Sequence, residues 1–188
     1  MQLFGSYTSP YVRHCRIVLA QTGLQCDFVE TDYSQSAEQS PAMRVPFLRD
    51  GDLLLTDSAS IVRTFREKAG QAFCADIRDY DLFLLVNTAM DSTVNLFLLE
   101  RDGLTPANSP YLERQRQRID ATLVHLDGQI DATAVDLTSD GVLRLGCFLS
   151  WALFRERISL ERHCSLSALL DRLDTDPGFA QTHPSRDT

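Results

Sequence analysis

The sequence lacks any excess of positive charge and any paired cysteine motif. Its 18 lysines and arginines stand against 26 aspartates and glutamates, for a formal net charge of −8. Proteins that bind nucleic acid neutralise phosphates with clustered cations, so this balance argues against nucleic acid as the main partner. The five cysteines form no Cys-x-x-Cys pair, and neither they nor the four scattered histidines have metal-ligand spacing. We therefore expect free thiols in a reducing cytoplasm and no bound metal.

Long hydrophobic runs and a leader pattern are also missing. The longest apolar run, around residues 142–154, is too short to span a bilayer and contains Arg144. The first residues enter a strand pattern directly, without the features of a secretory leader. We therefore expect no association with a membrane. At 188 residues and 44% hydrophobic content, the chain can form one or two domains with a sizeable core.

The most informative stretch is Tyr7-Thr-Ser-Pro-Tyr-Val-Arg13. It follows a predicted strand at Leu3–Tyr7 and opens a predicted helix over residues 10–22, with Pro10 at the first helical position. The unpaired N–H groups and the dipole of a helix start favour a negative charge beside Ser9, such as a thiolate. Ser9 is equally suited to a purely structural role as the helix N-cap.

The first 70 residues predict one small mixed sheet with helices. Asp-Gly between two short apolar runs is a strong hairpin signal, and a helix is predicted to start at Asp57-Ser58 and end near Gly70. Residues 33–43 are polar and predict a loop or a poorly formed helix. The order of elements is that of a four-stranded, thioredoxin-like α/β domain. The predicted strands after the first helix are Cys26–Glu30, Phe47–Arg49 and Leu53–Leu55.

Beyond residue 78 the strand signals disappear and helical periodicity takes over. We predict a thioredoxin-like domain over residues 1–73 and an all-α helical bundle over residues 79–188. The run Val142–Phe154 is apolar nearly all round, which predicts the central helix of the bundle, with Trp151 in its core. Asp176-Pro177-Gly178 is expected to break the last helix and leave a polar tail.

Four segments, in this order and at this spacing, resemble the glutathione transferase superfamily, and the serine in the first segment resembles the bacterial serine-type members. The resemblance implies that fold: a thioredoxin-like domain that binds glutathione, followed by a helical domain. The segments are Gly5-Ser-Tyr-Thr-Ser-Pro-Tyr-Val-Arg13, Arg16-Ile-Val-Leu-Ala20, Arg44-Val-Pro-Phe-Leu48 and Leu55-Thr-Asp-Ser-Ala-Ser-Ile61.

The same resemblance assigns a catalytic role to Ser9, whose hydroxyl would donate a hydrogen bond to the sulfur of bound glutathione. A free thiol has a pKa near 8.5, and a hydrogen bond to a charged acceptor contributes about 1.5–3 kcal/mol. At roughly 1.4 kcal/mol per unit, such a bond lowers the pKa of the thiol by one to two units. Serine cannot form a mixed disulfide, which argues against a glutaredoxin-like mechanism.

The resemblance also implies the residues that would hold the rest of glutathione. Val45-Pro46 is expected to carry a cis peptide bond, so that the backbone of Val45 pairs like a strand with the cysteinyl unit. Ser58 would bind the γ-glutamyl carboxylate at a helix start, and Asp57 its amine. Asp57 is also a natural N-cap, and the two roles are compatible. Arg44 is a weaker candidate for the glycyl carboxylate.

Three features depart from the family pattern or stay outside it. Met43 stands where glycine is common, and Leu137-Thr-Ser-Asp-Gly141 matches the usual helix-capping motif only roughly. His14 is close to Ser9 in sequence but is expected on the polar side of its helix, away from the site.

The resemblance implies an enzyme, a glutathione transferase with glutathione as substrate and a small hydrophobic electrophile as co-substrate, assembled as a homodimer. One alternative is a non-catalytic interaction protein on the same fold, like the stringent starvation protein A group. A second is a glutathione-dependent disulfide reductase or peroxidase that uses the same thiolate.

Overall fold

The structure, a computed structural model, describes residues 1–186 and divides into two compact units. The first unit comprises Met1–Phe73 together with the described residues from Thr175 onward, and the second is Cys74–Asp174. From the sequence, the helical domain was predicted to cover the whole of residues 79–188. The structure instead groups the C-terminal segment with the first unit.

The first unit contains a four-stranded mixed sheet in the order β2-β1-β3-β4. β1 is parallel to β2 and antiparallel to β3, and β4 is antiparallel to β3. This arrangement confirms the predicted thioredoxin-like fold. The elements are β1 (Gln2–Gly5), α1 (Pro10–Thr22), β2 (Asp27–Glu30), α2 (Tyr33–Gln39), β3 (Phe47–Asp50), β4 (Leu53–Leu55) and α3 (Ser58–Lys68).

The centre of this sheet is set by the pairing of β1 with β3. Phe4 lies opposite Phe47, and their rings stack with centroids 4.4 Å apart. Helix α1 packs close to the end of β1. The space is so small that a Cβ atom at Gly5 would come within 2.6 Å of the side chain of Val12. Any side chain at position 5 would push the first turn of α1 away from the sheet.

Helices are the only regular secondary structure among the described residues of the second unit, as predicted. Helix α6 is buried along almost its whole length, and Trp151 is only 4% exposed, which confirms its prediction as the core helix. The helices are α4 (Ile77–Arg101), α5 (Pro110–Gln129), α6 (Asp140–Phe154) and α7 (Cys164–Asp174), with a 3-10 turn at Pro106–Asn108.

Helix α4 is long and apolar. By length and composition alone it could cross a membrane, and only a third of its most apolar window is buried. It packs against α5 and α6 within its unit. An exposed apolar face remains, with Ile77 75%, Tyr80 41% and Leu84 43% exposed.

The start of α6 is joined to α4 through Asp79. One carboxylate oxygen of Asp79 accepts hydrogen bonds from the hydroxyl of Ser139, at 2.9 Å, and from the N–H of Gly141, at 2.8 Å. The Ser139 hydroxyl in turn caps α6 by accepting from the N–H of Val142 at 3.3 Å. Valine occupies position 142, where a capping box that starts at Ser139 would have an acidic side chain, and Asp79 of the neighbouring helix supplies an acidic group instead.

A short helix that the sequence analysis missed, α8 (Pro177–Gln181), lies in the C-terminal segment. Asp176 is its N-cap, accepting from the N–H of Phe179 at 2.9 Å, and Pro177 takes the first helical position. Phe179 is buried, with 1% exposure. Asp176-Pro177, which was expected to break the preceding helix, therefore also starts α8. Aspartate suits the N-cap and proline the first helical position.

Gly141 allows the close approach of α6 to α4, which can be tested by substitution. A Cβ atom there would lie 2.5 Å from the Asp79 carboxylate and 2.7 Å from its backbone carbonyl. We expect Gly141→Ala to lower the free energy of unfolding by about 2 kcal/mol or more, measured by urea denaturation.

The matched control is Gly128→Ala, a second helical glycine with open space around it. This change should stabilise the protein by up to about 1 kcal/mol through helix propensity. Equal stabilisation by both substitutions would show that the contact with Asp79 does not constrain position 141.

Candidate functional site

Ser9 lies at the mouth of α1, where the sequence predicted it. Its side chain caps the helix by accepting from the N–H of Val12 at 3.4 Å. Its own N–H donates to the carbonyl of Ser6 at 3.1 Å, and its carbonyl accepts from the N–H of Arg13 at 2.9 Å. Ser9 is therefore held by its backbone on both sides and remains partly exposed.

The hydroxyl proton of Ser9 is not used within the described protein. Among residues 1–186 the hydroxyl accepts one hydrogen bond, from Val12, and donates none. A hydroxyl group can donate once and accept twice, so Ser9 can cap the helix and donate to an incoming acceptor at the same time. The positive end of the helix dipole favours an anionic acceptor in this position.

The loop before Ser9 is anchored by an aromatic and cationic cluster. The ring of Tyr7 lies 4.7 Å from that of Phe28 in β2, and the guanidinium of Arg16 stacks 4.5 Å from the Tyr7 ring. The hydroxyls of Ser6 and Thr8 are also hydrogen-bonded, at 3.2 Å. These contacts limit how far the Ser9 hydroxyl can move.

The peptide bond between Val45 and Pro46 is cis, which confirms the prediction. Val45 lies just before β3. In the part of the chain that the structure describes, neither its N–H nor its carbonyl forms a backbone hydrogen bond. An extended peptide could therefore pair with Val45 as an added strand would.

Asp57 and Arg44 lie together rather than apart. The Arg44 guanidinium contacts one Asp57 oxygen at 3.0 Å, while the other oxygen accepts from the N–H of Ala59 at 2.8 Å and caps α3. The two side chains are 56% and 50% exposed, and such a pair stabilises the fold by at most about 1 kcal/mol. From the sequence the two were predicted to bind opposite ends of glutathione; in the structure they bind each other.

Ser58 opens α3 directly beside α1. It is only 4% exposed, and its carbonyl accepts from the thiol of Cys15 at 3.9 Å. Cys15 is fully buried in the core. Because this thiol belongs to α1, the helix starts that carry Ser9 and Ser58 are fixed on one packed pair of helices.

The backbone conformation at Met43 accounts for the glycine that is common at this position in the family. It adopts a φ of 51°, in the left-handed region that glycine enters without cost, and its side chain is 58% exposed. For a residue with a Cβ atom this conformation costs roughly 1–2 kcal/mol. The strain lies immediately before Arg44 and Val45.

Two residues next to the site were not identified correctly from the sequence. His14 is fully buried, so its expected place on the polar side of α1 is wrong. Arg13, which received no role, is buried with 1% exposure and donates hydrogen bonds to the C-terminal segment. No local sequence pattern signals either burial, because the periodicity of α1 alone makes both positions look polar.

Among the described residues, no group of three or more His, Cys, Asp or Glu side chains is placed to hold a metal ion. The start of α1 presents the Ser9 hydroxyl, backbone N–H groups and the helix dipole, and the start of α3 carries the exposed ion pair of Arg44 with Asp57.

Comparisons with known proteins match the first unit to a family model and the chain to related sequences. Residues 3–73 match the model of the glutathione S-transferase N-terminal domain family. The uncharacterised GST-like protein YibF of Escherichia coli K12 is 28% identical over 99% of this chain and all of its own length. The probable glutathione S-transferase GSTF2 of Oryza sativa subsp. japonica is 32% identical over 60% of this chain and 52% of its own.

Solved structures show the same fold. A glutathione S-transferase from Methylobacillus flagellatus with glutathione bound has a TM-score of 0.84 at 22% identity, covering 97% of this chain and 98% of that one. Another, from Methylobacterium radiotolerans in complex with glutathione sulfonate, has a TM-score of 0.82 at 25% identity, covering 97% and 94%.

Proposed function

Because residues 3–73 form a glutathione S-transferase N-terminal domain within a chain of that fold, we propose that the protein binds reduced glutathione and activates its thiol. The thiolate then attacks an electrophilic carbon, a disulfide or a peroxide. The observation that carries this proposal is the Ser9 hydroxyl, which is partly exposed at a helix start with its proton unused. A donor in that position stabilises a thiolate more than a thiol.

The remaining groups support a ligand with the chemistry of glutathione. Its peptide backbone would pair with the unused N–H and carbonyl of Val45 beside Pro46. Its γ-glutamyl ammonium would bind Asp57, and the adjoining carboxylate the start of α3 at Ser58. The exposed pair with Arg44 costs little to exchange, so Asp57 can accept a new cation and Arg44 a new carboxylate.

We also propose that the protein forms a homodimer in a reducing cytoplasm. Ile77, Tyr80 and Leu84 recur at helical spacing, which places them on one exposed face of α4. On the first unit, Leu53 and Leu54 of the edge strand β4 are 45% and 40% exposed. Packing of one copy's β4 edge on the other copy's α4 face would remove both apolar surfaces from water.

Asp57→Asn tests glutathione binding without disturbing the helix cap. Asparagine caps a helix as well as aspartate, so the fold should keep its stability while the negative charge is lost. We expect the affinity for reduced glutathione, measured by calorimetry, to fall about 10-fold or more. Asp52→Asn, at the exposed hairpin turn, is the control for loss of a carboxylate; equal affinities in both variants would remove Asp57 from the site.

Ser9→Ala tests thiol activation. Removing the donor should lower turnover roughly 10- to 100-fold and raise the pKa of the bound thiol by about one to two units. The pKa is followed by thiolate absorbance, and glutathione affinity below that pKa should change little. Ser34→Ala, an exposed serine on α2, should behave as the parent. Full activity in Ser9→Ala would assign thiol activation to other groups. If the parent protein binds glutathione but does not activate its thiol, the alternative of a non-catalytic interaction protein would be favoured.

Leu84→Glu tests the dimer. A charge on the exposed α4 face should convert the dimer to a monomer in light scattering at micromolar concentration. Val124→Glu, at a position on α5 that is 64% exposed, should remain dimeric. A monomeric parent would overturn the dimer, and a parent that binds lipid vesicles through Leu84 would assign this face to a membrane instead.

A further inference from the structure

Arg13 is a buried cation in the first turns of α1. Its side chain donates to the carbonyl of Phe179 at 2.9 Å and to the hydroxyl of Thr182 at 3.1 Å. The guanidinium carbon also lies 4.0 Å from the centre of the Phe179 ring. Three different kinds of contact therefore join α1 to a segment more than 160 residues away in the chain.

The partners of Arg13 are themselves held in place. The Thr182 hydroxyl donates to the Phe179 carbonyl at 2.9 Å, and Asp176 caps the N–H of Phe179 at 2.9 Å. Thr182 is 8% exposed and Phe179 is 1% exposed. A charge taken out of water is costly unless its hydrogen bonds are replaced, so the position of Arg13 is tightly determined by α8.

The backbone of Arg13 is bonded directly to Ser9. Its N–H donates to the Ser9 carbonyl at 2.9 Å, and this is the first hydrogen bond of the helix ladder. The same residue thus closes the turn that presents Ser9 and is fixed by its side chain to α8. A shift of α8 would be transmitted to Ser9 through one residue.

We propose that Arg13 is a positioning residue and that α8 is its brace, together fixing the direction of the Ser9 hydroxyl towards the thiol. The assignment of that thiol rests on the proposed function. Misplacement of a reacting group by about 1 Å can cost up to 100-fold in rate, so a brace at this point affects chemistry as well as stability.

Substitutions can distinguish a positioning role of Arg13 from an effect of its positive charge. Arg13→Lys keeps the positive charge but loses the planar group that reaches Phe179 and Thr182 together. We expect kcat/KM for the glutathione reaction to fall about 10-fold and the pKa of the bound thiol to rise, with KM for glutathione nearly unchanged. Thr182→Val, which leaves Arg13 in place and removes only one acceptor, should give a smaller change in the same direction, about 3-fold.

The control is Arg63→Lys, at an exposed arginine on α3 that pairs with Glu67. It should match the parent in rate and in thiol pKa. If Arg13→Lys and Thr182→Val also match the parent in both measurements, the brace does not position Ser9. If Arg13→Lys matches the parent while Arg13→Met does not, Arg13 acts through its charge and the brace is again overturned.

Amide hydrogen exchange tests the brace without glutathione. The N–H of Arg13 bonds to Ser9 at 2.9 Å, and the N–H of Ile61 makes the equivalent first bond of α3, to Asp57, at 3.1 Å. Thr182→Val should speed exchange at Arg13 several-fold and leave Ile61 unchanged. Equal changes at both amides would indicate general destabilisation and would overturn the inference.

These two experiments fail in different ways. A parent protein that neither binds glutathione nor shifts the pKa of its thiol would overturn the proposed function, while exchange at Arg13 would still decide whether α8 braces the helix start. A parent that binds glutathione, with Thr182→Val unaltered in rate, thiol pKa and exchange, would overturn only the brace.

Discussion

The close approach of α1 to β1 is the constraint on which the rest of the first unit depends. It exists because Gly5 has no side chain, so Val12 can occupy the space where a Cβ atom would stand. The last strand residue and the first helical turn are thereby brought together, and the short loop between them has little freedom. This packing constrains the position of Ser9.

Three charged residues of the first unit lie in different environments. Arg44 and Asp57 are about half exposed, so their pairing contributes little and can be exchanged for a ligand. Arg13 is buried, and its contacts with Phe179 and Thr182 hold it in one place. The exposed pair is therefore suited to recognition and the buried cation to architecture. The first unit therefore combines an exposed, exchangeable ion pair with a rigidly held buried cation.

Local signals predicted most of the fold and several features of the site. Asp50-Gly51-Asp52 predicted the hairpin and Pro10 the start of α1, because each depends on neighbouring residues only. The cis bond before Pro46 was expected from the family resemblance. The pairing of Arg44 with Asp57 could not be predicted, since it joins two loops that meet only in the folded chain. The C-terminal helix was missed because Asp176-Pro177 ends one helix and begins another, and only the burial of Phe179 distinguishes it from a tail.

The return of the C-terminal segment to the first unit has a consequence for biosynthesis. Multidomain chains generally fold from the N-terminus as they leave the ribosome. Here Phe179 and Thr182, which receive the guanidinium of Arg13, are translated only after the whole of Cys74–Asp174. The nascent first unit must therefore keep Arg13 in water, or cover it by other means, while the helical unit is made. Completion of the thioredoxin-like unit is consequently a late event of translation, although its sheet is encoded first.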